Sequence, residues 1–217
     1  MSIVLINPNS TESMTEAMLE TARQAAPSTA FEGWTSHEGP PAIQGAEDGE
    51  AATPPLLKLV AAASGQGAKG IIIGCFDDTG LAEAARVASC PVVGIGQAAY
   101  HFCVLRQWRF GVVTTLPVSV PVLERNIASY GLPSRTGIVR ASGVPVLALE
   151  EDPGTAIDRV IEVSRAMVRE DRVDAVILGC GGMVAVAEAA RQALDVPVID
   201  PLETAARLMT WLAAASA

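Results

Sequence analysis

The chain has 217 residues, half of them hydrophobic and 18% charged, so it can bury a sizeable core and suits one or two compact domains rather than a string of small modules. Its formal net charge of −9 and its lack of any lysine–arginine cluster exclude a nucleic-acid surface, because phosphate binding needs clustered cations. Four cysteines without CxxC spacing, an opening "MSIVLINPNS" with no basic run, and a closing "ARLMTWLAAASA" too short to span a bilayer predict a cytoplasmic protein with reduced thiols, no signal peptide and no membrane partner.

In chain order, the first predicted strand is Ile3–Ile6, and Asn9, Ser10 or Thr11 can cap the helix that follows. A strand over Ala30–Trp34 leads into the glycine- and proline-rich stretch Ser36–Pro55, which reads as a long rim or lid loop. Short apolar strands then recur at Gly70–Ile73, Val92–Ile95, Phe110–Val113, Gly137–Val139, Ala175–Leu178 and Val196–Ile199, with alanine-rich amphipathic stretches between them. Strands this short and this apolar are covered by helices on both faces, the signature of a parallel α/β sheet.

The chain also repeats itself. "IIIGCFDDTGLAEAAR" returns as "VILGCGGMVAVAEAAR", so that Cys75 and Cys180 stand 105 positions apart, as do the two AEAAR runs. "VLINPNST" matches "VVTTLPVS" at an offset of 108, and "SCPVVGIGQAA" matches "DVPVIDPLETA" with a one-residue slip. Four strand ends matching in the same order indicate two copies of one βα half. Spacing alone leaves two architectures open, two small doubly wound sheets facing across a cleft or eight βα units closed into a barrel. Either one gathers the carboxyl ends of equivalent strands around a single site.

Each of the two cysteines ends a strand and precedes a helix, where N–H groups and the helix dipole favour a thiolate. The backbone N–H groups of Phe76, Asp77, Gly181 and Gly182 are the expected oxyanion donors. A matched thiol–thiolate pair suits the inversion of a carbon acid, in which one group removes a proton from one face and the other delivers a proton to the opposite face. Asn9, with Ser10 beside it, and Thr114 and Thr115 in the equivalent place of the second half, are assigned to ligand contact. Ile43, with Pro40 and Gly45, is assigned to closing over the ligand. Asn7, Asp77 and Asp78 are assigned to helix capping. Only the Asp77 N–H is placed in the site, because a carboxylate there would oppose thiolate formation. Cys90, Cys103, Trp34, Trp108 and Trp211 are read as core and His101 as a packed or interface residue. His37 and His101 are too far apart in sequence to suggest a metal centre.

The segments "INPNST", "GCFDDTGLAEAAR", "PVVGIGQAA", "VVTT" and "ILGCGGM" resemble the hydantoin racemase branch of the aspartate/glutamate racemase superfamily, which includes allantoin racemases. The resemblance runs over essentially the whole chain. It implies two pseudo-symmetric Rossmann-like α/β domains with parallel sheets and an active site in the interdomain cleft, which removes the barrel. It also implies racemisation without metal, flavin or pyridoxal phosphate, with Cys75 and Cys180 as the catalytic pair. Residues 1–97 plus 203–217 would form the first domain and 98–202 the second. The chain departs from the family at Gln97, where the family has Glu. The expected substrate is a 5-substituted hydantoin or allantoin. An amino-acid racemase would need charged groups for a free amine and carboxylate; maleate isomerase-like and decarboxylase-like reactions, and a noncatalytic small-molecule binding protein, are the other readings. Apolar helix faces predict a homo-oligomer.

Overall fold

The computed structural model describes residues 2–215. All eight strands form: β1 (Ile3–Asn7), β2 (Phe31–Thr35), β3 (Gly70–Ile73), β4 (Val92–Gly94), β5 (Phe110–Thr114), β6 (Thr136–Ala141), β7 (Ala175–Leu178) and β8 (Val198–Ile199). They make two four-stranded sheets, ordered β2-β1-β3-β4 and β6-β5-β7-β8, and every pairing is parallel. The identical strand order in the two halves is the three-dimensional form of the repeat. The fold is α/β with a two-domain layout.

Sheet register refines that repeat. Gly74 donates its N–H to the Ile6 carbonyl, and Gly179 donates to the Val113 carbonyl. Ile6 is therefore equivalent to Val113, and Asn7 to Thr114. The 108-residue offset read from "VLINPNST" is one residue too long, because runs of interchangeable β-branched residues do not fix register by themselves. The slip at the last strands is real, since Pro91 and Pro197 accept from Ile71 and Val176 respectively.

Between the strands lie α1 (Glu12–Ala25), α2 (Ala46–Gly65), α3 (Leu81–Val87), α4 (Ile95–Leu105), α5 (Val120–Ser129), α6 (Ala148–Glu151), α7 (Pro153–Ala166), α8 (Val184–Ala193) and α9 (Pro201–Ala215). β1, β3, β5 and β7 are buried along their whole length, as expected for sheets covered on both faces. Each fully buried Ile or Val of these strands contributes about 1.5–3 kcal/mol relative to exposure. The last helix, α9, packs on α1, α4 and β3 and buries Ala205, Ala206 and Met209. No helix among the described residues is long and apolar enough to cross a membrane.

The long rim loop is shorter than expected, because α2 begins at Ala46 and runs through Pro54 and Pro55. Proline removes a donor from the helix interior. Here the acceptors left over are the carbonyls of Glu50 and Ala51, both at exposed positions where water satisfies them. Leu56, Val60 and Ala63 are fully buried and hold the helix down, so tertiary packing overrides the local signal. Trp211 is also not core. It is 65% exposed on α9, whereas Trp34 and Trp108 are half-buried, Trp108 packing edge-on against Phe102.

Candidate active site

Both sheets direct the carboxyl ends of β3 and β7 into one cleft, where Cys75 and Cys180 line a cavity of about 30 Å³. The hydroxyl of Thr79 donates to Cys75 Sγ at 3.4 Å, and the Asp77 backbone N–H faces the same sulfur. Across the cleft the Gly182 N–H donates to Cys180 Sγ at 3.4 Å. In each half, then, the backbone N–H two residues after the cysteine is directed at its sulfur, and the pseudo-symmetry reaches atomic detail.

Both thiols lie above the ordinary thiol range, which corrects the expectation that helix ends would depress them. Burial pushes Cys180 up to about 12, offset in part by the Gly182 N–H. Burial, followed by the charge of Asp77, holds Cys75 higher still against the opposing Thr79 and Asp77 N–H bonds. The helix dipole fails at Cys75 for a geometric reason. A turn closed by Asp78 N–H on the Cys75 carbonyl separates it from α3, which starts only at Leu81. Cys180 sits closer to its helix, capping the short 3₁₀ turn Gly181–Met183 that leads into α8.

Of the other predicted site residues, Asn9, Ile43, Phe76, Asp77, Thr114, Thr115, Gly181 and Gly182 line the same cavity. Ser10 does not. Its N–H is bonded to the Pro40 carbonyl, so it tethers the loop that carries Ile43 instead of facing the ligand space. Asn7 is fully buried beneath the site. Its amide donates to Asn9 Oδ1 at 2.8 Å and to Thr15 Oγ1 at 3.1 Å. Asn9 Oδ1 also accepts the Thr11 N–H just before α1, so Asn9 orders the turn into that helix while lining the cavity; Thr11 holds the capping position, with no side-chain cap bond. The Thr114 hydroxyl is committed to the Gly179 carbonyl at 3.2 Å. Gln97 lies outside the cavity lining; its carbonyl pairs with His101 Nδ1 at 2.8 Å, and His101 is packed against the Tyr130 ring.

One of the two aspartates needs correction. Asp78 is a capping residue, as expected, and the helix it caps is α4. Its backbone is left-handed (φ 50°), its Oδ1 accepts the Gly96 N–H at 3.0 Å, and its Oδ2 accepts the Tyr130 hydroxyl at 2.9 Å. This bridge explains the glycine at 94, where an added Cβ would run into the Asp78 carboxylate; at Gly96 it would meet the Phe76 carbonyl first and the carboxylate next. Asp77 caps no helix: the residue lines the cavity, its Oδ2 is buried without a partner, and burial pushes the carboxyl up to about 7.

The sequence reading missed Met14 and Met18, one helical turn apart on the buried face of α1, and Ser119 and Val146, which arrive from the second half. The periodic burial of α1 was legible; that it faces the cleft was not. Val146 is held to the first half by its N–H, which donates to Gln44 Oε1 at 3.0 Å, and Ser13 donates to Glu150 at 2.9 Å nearby. Among the described residues, no lysine, arginine or histidine lines the cavity.

Comparison with known proteins agrees with the fold. The family model for Asp/Glu/hydantoin racemase matches residues 3–209. A hydantoin racemase of Rhizobium meliloti is 40% identical over 212 residues, covering 96% of this chain and 87% of the relative. Allantoin racemase from Klebsiella pneumoniae superposes with a TM-score of 0.94 at 36% identity, over 100% of this chain and 89% of that one. Allantoin racemase from Pseudomonas fluorescens superposes equally well, with a TM-score of 0.94 at 33% identity over 100% and 92%. The chain therefore belongs to the Asp/Glu/hydantoin racemase family and is an isomerase, a racemase.

Proposed function

We propose that the protein racemises 5-substituted hydantoins, allantoin among them, by proton transfer between Cys75 and Cys180 and without a metal or organic cofactor. One observation carries the reading: two cysteines at equivalent strand ends of pseudo-symmetric sheets, each with the following backbone N–H groups turned into the same cleft. The C5–H of a hydantoin is acidified by the adjacent ring carbonyl. A thiolate on one face takes that proton, the charge moves onto the carbonyl oxygen, and the thiol on the other face returns a proton to C5. The product enantiomer leaves with the two thiols exchanged in role, so matched groups serve both directions.

Buried thiols with raised pKa values are poor at resting ionisation but strong as bases once ionised, which suits a weak carbon acid. The charge on the enolate oxygen is met by the N–H groups of Phe76 and Gly181, fixed before the reaction begins, while the Asp77 and Gly182 N–H groups stay with the two sulfurs. Substrate that fills the cavity between the two halves displaces water from around the thiols, which strengthens these interactions. The absence of any cationic side chain from the lining argues against a free amino acid, whose carboxylate would need one.

The test is a circular-dichroism time course on single enantiomers of allantoin, 5-benzylhydantoin and 5-isobutylhydantoin in deuterated buffer. Loss of optical signal with deuterium at C5 is expected in the wild type, and Cys75→Ser and Cys180→Ser should each reduce it by at least ~10³-fold. A wild-type rate equal to the enzyme-free blank on every ring rejects the substrate class. Full activity in either serine variant rejects the two-thiol mechanism.

A further inference from the structure

We propose that Asp77 selects the substituent at C5: its carboxyl takes N–H donors from a ureido or amine-like side chain and discriminates against alkyl groups of the same size. The proposal rests on the hydantoin reading above and deepens it. Among the described residues, Asp77 is the one carboxylic residue in the cavity wall, and its Oδ2 is buried with no hydrogen-bond partner. Its main chain is already committed, since the N–H faces Cys75 Sγ and the carbonyl accepts Asn126 Nδ2 at 2.7 Å. The side chain is the part left free for a ligand.

The rest of the wall divides into two kinds of surface. Backbone N–H groups are donors, which meet carbonyl oxygens of the ring. Met14, Met18, Ile43 and Val146 are apolar. A buried acceptor among them is unsatisfied until the ligand brings a donor, and leaving it unpaired costs a ligand that cannot. Charge favours the same assignment. Ionised Asp77 opposes thiolate formation at Cys75, and N–H groups packed on the carboxylate absorb part of that charge, so the preferred substituent also eases the chemistry. With burial holding the carboxyl near 7, an apolar substituent leaves it protonated and still without a partner.

The experiment compares kcat/KM for allantoin and for 5-isobutylhydantoin, whose side chain matches the ureido group atom for atom in heavy-atom skeleton, in the wild type, Asp77→Asn and Asp77→Leu. The allantoin-to-isobutyl ratio should fall by at least ~10-fold in Asp77→Leu and by a smaller factor, about 3-fold or more, in Asp77→Asn, which keeps one acceptor oxygen. Because the ratio is taken within each variant, partial loss of folded protein cancels, and Asp77→Asn decides if the leucine variant is insoluble. A ratio unchanged within about 2-fold, with both rates falling together, overturns the proposal and assigns Asp77 to the thiols alone. Wild-type enzyme inactive on both rings overturns it differently, by removing the substrate reading beneath it.

Discussion

Replacing Asp78 tests whether one buried carboxylate joins the two halves of the cleft. In Asp78→Ala the Gly96 N–H and the Tyr130 hydroxyl lose their acceptor. Each costs about 1–3 kcal/mol when left unsatisfied, and a left-handed backbone costs alanine roughly 1 kcal/mol more than aspartate. The expected loss is roughly 3–7 kcal/mol, a large part of the ~5–15 kcal/mol that holds a domain of ordinary stability. Asp78→Asn keeps an acceptor for Gly96 and tolerates the backbone, so it should lose about 1 kcal/mol or less near pH 5. The two variants also differ in pH dependence. Burial raises the Asp78 carboxyl to about 7 from an unfolded value near 3.8, so the wild type has its full stability below about pH 4 and loses it as pH rises through about 7. Asp77 shifts in the same direction, and together the pair accounts for a fall of the order of a few kcal/mol. The asparagine variant lacks the Asp78 share of that fall and should gain on the wild type between pH 5 and pH 8. Equilibrium urea unfolding by circular dichroism at both values measures this. An alanine variant within about 1 kcal/mol of the asparagine variant, or a gap between Asp78→Asn and wild type independent of pH, would refute the bridge.

Two further outcomes follow from the geometry of the cleft. Because both thiols are raised, kcat/KM for an uncharged hydantoin should climb with pH from 6 to beyond 9, and more steeply in Asp77→Asn, where no neighbouring carboxylate forms to oppose Cys75; a plateau near pH 7 in stopped-flow or polarimetric rates would contradict the raised values. Gln44→Ala removes the acceptor that joins the Ile43 loop to Val146 across the cleft. It should raise KM by about 3- to 10-fold with a smaller change in kcat, because it weakens closure around bound substrate and leaves the thiols in place; an unchanged KM would remove Gln44 from closure.

The sequence by itself determined the parts of this protein that rest on local pattern. Short apolar strands with alanine-rich helices between them specify parallel α/β structure, and the strand-end cysteines at a fixed spacing announce a duplicated half with paired thiols. Most of the cavity lining followed, because the carboxyl ends of β1, β3, β5 and β7 open on one cleft. Tertiary structure decided what depends on long-range neighbours. Pro54 and Pro55 stay helical because Leu56 and Val60 are buried beneath them. Asp78 turns to α4 and Tyr130 because the space over Gly94 and Gly96 admits it, and Asp77 is left in the cavity wall with its Oδ2 unpartnered. The thiol pKa values reverse the local expectation for the same reason. A helix dipole acts over one turn of chain, but desolvation is set by everything packed around the sulfur, and that packing comes from both halves at once.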